Sequence, residues 1–228
     1  MPFGFSVTES PGTNDGHEYL IALSHLLTLV GPCSPSVRQC ATELDESVPL
    51  KRYLSQITYG FGEDTKTNSV TGISDENIEK YRSIVDGFFK LDQQTRESLT
   101  TPIARLNLAL KHYSQVEKAI DLGIALESLF LSESSKDSPI ALPFRLRGAW
   151  LLGKNHEHRE ALFKKFQDLY DLRSSAVHKG SLGKPKAANS HSERLSEGID
   201  LCICAILKII DRGAMPTSAT WAKLILGG

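Results

Sequence analysis

The residues best equipped for chemistry in this 228-residue chain lie in YDLRSSAVHKG (170–180), where Arg173 is followed by His178 and Lys179, with Lys184 and Lys186 just beyond. An arginine fork grips two oxygens of a phosphate at once, and an imidazole takes and gives protons near neutral pH. Lysines on a flexible glycine-rich margin add a basic border. Together these groups suit a phosphodiester. The spacing alone carries little weight, because a chain of this composition holds about one Arg and His pair separated by four to six residues by chance. Arg105 and His112 form another such pair.

The elements that must position these groups are helices. In VEKAIDLGIALESLFL (116–131) the residues Val116, Ile120, Ile124, Phe130 and Leu131 share one arc of the wheel, and Glu127 falls in its middle, about 20° from Val116. In LFKKFQDLYDLRSSAV (162–177) an apolar arc of Leu162, Phe166, Leu169, Tyr170 and Val177 holds Arg173 at about 20° from Leu162. An unpaired buried charge is costly, so the two opposite charges should meet. The plain structural alternative is an ion pair that only fixes helix register. His178 lies roughly 140° further round than Arg173 on a straight helix. The two therefore converge only if the helix distorts near 174–178, or if a second subunit completes the site.

Helical periodicity dominates the rest of the chain, and no convincing alternating strand is present. A first helix is expected over 17–30, stopped by Gly31-Pro32, with short helices around 35–44 and 48–58. The stretch GFGEDTKTNSVTG (60–72) reads as a loop and as the boundary between an N-terminal helical extension (1–72) and the main domain (73–228). Ser74 is placed to cap a helix over 75–90, another begins near 93, Pro102 suits the first turn of a helix, and one long helix or two nearly continuous ones reach Leu131. A helix from 140 to Gly153 and one from 157 into the YDLRSSAV segment follow. Ser190 and Glu193 have capping-box spacing ahead of an apolar helix that ends before Gly213, and a last short helix carries Trp221.

Composition narrows the class. The formal net charge is −1, so whole-chain charge predicts neither nucleic-acid nor membrane binding. Residues 144–186 nevertheless carry ten Lys/Arg against four acids, which hints at an anionic partner for one surface. Cys33, Cys40, Cys202 and Cys204 show no CxxC spacing and read as small buried residues in a reducing cytoplasm. No apolar run reaches membrane-spanning length and no basic-plus-apolar leader opens the chain, so neither secretion nor membrane insertion is expected. His156 and His158 form an HxH without further ligands, so no metal site is assigned and no cofactor is expected.

Three blocks, IDLGIALESLFL (120–131), LPFRLRGAWLLG (142–153) and LYDLRSSAVHKG (169–180), stand in an order that resembles the Apea-like branch of the HEPN superfamily. The likeness spans roughly residues 75–226 and includes KIIDRG (208–213) ahead of Trp221. It implies an all-α, HEPN-like helical bundle, commonly a homodimer. It also implies a metal-independent endoribonuclease in which Arg173 and His178 match the catalytic pair and Glu127 the acid of the Ala-Leu-Glu helix. Ser174, Lys179, Lys184 and Lys186 would contact single-stranded RNA, and the setting would be antiviral defence or a toxin–antitoxin system with a protein partner. The alternative is an inactive RNA- or nucleotide-binding module or a scaffold. Two positions depart from the family habit: Lys179 stands where glycine is common, and Ser174 follows the arginine where Asn, Asp or His is frequent.

Overall fold

The computed structural model describes residues 13–31, 33–35, 39–42, 57–60, 74–132, 140–184 and 190–227. In chain order these form α1 (Thr13–Leu26), a 3-10 turn (Leu27–Leu29), β1 (Gln39–Thr42), β2 (Ile57–Gly60), α2 (Asp75–Lys90), α3 (Gln93–Lys111), α4 (Gln115–Phe130), α5 (Ala141–Leu152), α6 (His156–Lys179), α7 (His191–Arg212) and α8 (Ser218–Leu226). The class is all-α, because helices supply the core. Polar caps start most of them. Ser74, Asp92, Ser114, Asn155, Ser190 and Thr217 each accept a backbone N–H of the first turn, and Ser190 and Glu193 close a reciprocal capping box.

Two expectations are corrected here. Residues 39–42 and 57–60 do not lie on helices. They pair as an antiparallel ribbon, with Cys40 opposite Tyr59 and Thr42 opposite Ile57. The Ile-Thr-Tyr run favours extended backbone through its β-branched and aromatic side chains, and windows this short carry no reliable helical period. Pro102 does not open a helix either; it sits within α3 and is buried. The ring removes one rung, from position 102 to the Ser98 carbonyl, and the flanking helix carries the break. The remaining expected helices start and stop within a few residues of their signals. Gly60, expected to open the 60–72 loop, closes β2, while the rest of that stretch and residues 133–139 of the polar connection lie outside the described residues.

The N-terminal helix shares the core of the helices that follow it. Leu26 and Leu29 are fully buried, the Tyr81 hydroxyl donates to the Leu23 carbonyl at 2.9 Å, and Asn107 Nδ2 donates to Thr28 Oγ1 at 3.0 Å. At the centre Phe130, Phe144 and Phe166 stack edge to face, with ring centroids 5.4–5.9 Å apart, and Trp221 of α8 closes the cluster against Phe130. Helix α6 runs through this cluster in a trough of bare backbone. Gly123 of α4, Gly148 of α5 and Gly198 of α7 each face one of its side chains: Arg173, Phe166 and Leu169 respectively. A methyl group at Gly148 would come within 2.6 Å of the Phe166 ring, so these glycines set how closely α6 is held.

Candidate functional site

The close approach of α4 and α6 brings the two mid-face charges together. Arg173 Nη2 donates to Glu127 Oε2 at 3.1 Å, with both side chains mostly out of water. The pair closes one wall of a narrow crevice whose apolar lining includes Leu126, Phe144, Leu169 and Tyr170, with room for about one water molecule. It is only partly satisfied: Glu127 Oε1 and Arg173 Nε are both buried without a partner among the described residues. Burial pushes the Glu127 carboxyl above its ordinary range, and the neighbouring Arg173 cation pulls it part of the way back.

His178 is not brought to Arg173 within one chain. Helix α6 continues unbroken to Lys179 and ends at Gly180, whose φ of 61° supplies the left-handed cap and whose N–H donates to the Ala176 carbonyl at 3.1 Å. The cap glycine thus comes one residue after Lys179. With no distortion between 173 and 178, Arg173 turns inward while His178 and Lys179 are exposed in the last turn, where positive charge complements the helix dipole. Ser174 is half-buried, Lys184 is exposed, and Lys186 lies outside the described residues.

The pair set aside as a spacing match does converge. Arg105 Nη1 donates to Asp121 Oδ1 at 2.8 Å, and His112 Nε2 bonds to Asp121 Oδ2 at 2.6 Å. Glu117 stands 3.4 Å from the other imidazole nitrogen. This network clasps the α3–α4 hairpin. Asp121 escaped sequence reading because it lies outside the apolar arc of α4, where nothing distinguishes it from a solvated acid.

Much of the basic stretch is spent on structure. Arg145 stacks on Phe163 at 5.1 Å, Arg147 on Trp221 at 5.4 Å and Arg159 on Trp150 at 3.7 Å. Lys164 pairs with Glu160, and Lys165 with Glu197. Lys154, Lys179 and Lys184 are left exposed and without an ion pair among the described residues. The basic surface expected for an anionic partner therefore shrinks to Lys179 and Lys184 at the C-terminal end of α6, with Lys154 apart from them before its N-terminus. Cys202 is buried as expected, but Cys33 and Cys204 are exposed. Among the described residues no group of three or more His, Cys, Asp or Glu is arranged to hold a metal ion, and no helix is long and apolar enough to cross a membrane.

Comparison with protein-family models, curated proteins and solved structures finds no match for this chain.

Proposed function

We propose that the chain is a metal-independent endoribonuclease of the HEPN type, acting on single-stranded RNA in the cytoplasm, in antiviral defence or a toxin–antitoxin pair. One observation carries the reading. An arginine is anchored by a partly desolvated carboxylate, keeps a buried donor without a partner among the described residues, and shares its helix with an exposed histidine and lysine. These are the groups required for transesterification at a phosphodiester. The substrate's 2′-hydroxyl attacks the adjacent phosphorus as an imidazole removes its proton. The P–O5′ bond breaks as a second imidazole protonates the leaving oxygen, and a 2′,3′-cyclic phosphate and a 5′-hydroxyl result. Arg173 stabilises the charge on the phosphoryl oxygens, and Glu127 orients its fork.

Because α6 is unbroken, Arg173 and His178 of one chain face different directions. The reading therefore needs a homodimer, in which each copy lends its histidine to a shared cleft. Exposed Val177, beside His178, and exposed Leu142 on α5 are apolar groups free to enter such an interface. The test is cleavage of RNA by variants and by mixed dimers. Arg173→Ala and His178→Ala should each be inactive yet folded, and wild type mixed with His178→Ala should cleave less than the same wild type alone, because each mixed dimer keeps only one of the two imidazoles. The matching DNA should survive, and one deoxyribose 5′ of the scissile phosphate should block cutting at that position alone. Magnesium dependence or 5′-phosphate products would remove His178 from its assigned role.

A second reading draws on the inward turn of Arg173. A guanidinium already engaged with Glu127 suits a module that holds RNA or a nucleotide without cleaving it, or a scaffold for a protein partner. RNA binding by the wild type with no cleavage would put that reading in front.

A further inference from the structure

We infer that Gly123 is a positioning residue for Arg173: the bare backbone there lets the arginine stem lie across α4 and deliver its guanidinium to Glu127. Gly123 and Glu127 sit one turn apart on the same row of α4, and Arg173 spans that row. A Cβ added at Gly123 would stand 2.8 Å from the Arg173 Cβ and closer still to its Cγ. Those atoms lie near the α6 backbone and cannot swing aside as a side-chain tip can. Relief requires α4 and α6 to separate, or Arg173 to change its χ1 rotamer, of which a helix allows few. Either movement withdraws the guanidinium from Glu127. Gly198 is a different case, because there the atoms nearest the added methyl are terminal Cδ atoms of Leu169 and Leu122.

The consequence for RNA cleavage rests on the reading of Arg173 given above, whereas the placement of Arg173 can be tested without any substrate. The full chain carrying Gly123→Ala is compared with wild type, Arg173→Ala and Gly198→Ala by following the Glu127 carboxyl through a pH titration with carbon-detected NMR. In Gly123→Ala the titration midpoint should rise to that of Arg173→Ala, because the cation that holds it down has moved off. Gly198→Ala should lose stability but keep the wild-type midpoint. A wild-type midpoint in Gly123→Ala, or an equal rise in Gly198→Ala, overturns the inference. If Gly123→Ala does not fold, Gly123→Ala/Arg173→Gly should recover folding, since it clears both the Cβ and the Cγ overlaps; no recovery would overturn the inference as well. Where the wild type cleaves RNA, Gly123→Ala should lose turnover as Arg173→Ala does, while Gly198→Ala retains it. A wild type that never cleaves sinks the enzymatic reading and leaves the titration test intact.

Discussion

Asp121 and Glu127 stand on the same helix, each largely out of water and each facing an arginine from a neighbouring helix, yet their surroundings differ. Both Asp121 oxygens are taken, one by Arg105 at 2.8 Å and one by His112 at 2.6 Å. Its partners come from the adjacent helix of a tight hairpin, and Arg105 also reaches solvent. Among the described residues the Glu127 side chain has one partner, contributed by a helix far along the chain, and its second oxygen and the Arg173 Nε are buried without one. A buried polar group left unpaired costs about 1–3 kcal/mol. The Asp121 network is thus complete as a structural clasp. The Glu127 pair retains hydrogen-bonding capacity that a water or a ligand can use, which is the more promising condition for a binding or catalytic site.

The comparison breaks most visibly in activity. Arg173→Ala and His178→Ala should each slow cleavage of single-stranded RNA by about 10²- to 10⁴-fold, the usual worth of a charge-stabilising or proton-transferring group. Asp121→Asn, assayed beside them at a temperature where circular dichroism shows full helicity, should cleave at the wild-type rate. Equal loss in Asp121→Asn would move the chemistry to the α3–α4 hairpin and to its Arg105 and His112.

Stability should rank the two carboxylates in the opposite order. Asp121→Ala strands His112 and Arg105, and should cost about 2–3 kcal/mol; the figure sits below that for a fully buried pair because Arg105 can turn to water. Glu127→Ala should cost less, about 1–2 kcal/mol, since the pair it breaks was already short of partners. Urea unfolding of the two variants decides the ranking, and a larger loss at Glu127 would mean that its pair is the real clasp.

The sequence made one half of this comparison legible. Glu127 and Arg173 each interrupt an apolar arc, and charge inside such an arc demands a partner, so their meeting followed from helical period alone. Asp121 interrupts nothing, and its importance depends on the turn at His112–Ser114 that folds α3 back on α4. Gly123 did leave a signal: a glycine within a helix costs roughly 1 kcal/mol against alanine and asks for a packing reason. The direction of His178 was settled by a local detail, since Gly180 rather than position 179 supplies the helix cap. The ribbon at 39–42 and 57–60 was hidden because its pairing is made across a long intervening segment, and four-residue windows show no usable period.

The smallest expected effect is also the most specific to Glu127. Its carboxyl is held above the ordinary glutamate range by burial, with Arg173 opposing that rise. A carboxyl raised in the folded state binds protons there that the unfolded chain has already released. Stability from this group is therefore fully present below the unfolded-state value. It is lost as pH climbs from that value through the folded midpoint, and is level above it. Glu127→Gln cannot titrate, so the stability of wild type relative to Glu127→Gln should fall across that window and flatten beyond it. Arg173→Ala removes the opposing cation, so its decline should continue to higher pH than in wild type. Unfolding free energies measured at half-unit steps between roughly pH 4 and pH 8 give all three curves. A wild-type curve parallel to Glu127→Gln would mean that Glu127 is solvated like any surface acid, and the contrast with Asp121 would then disappear.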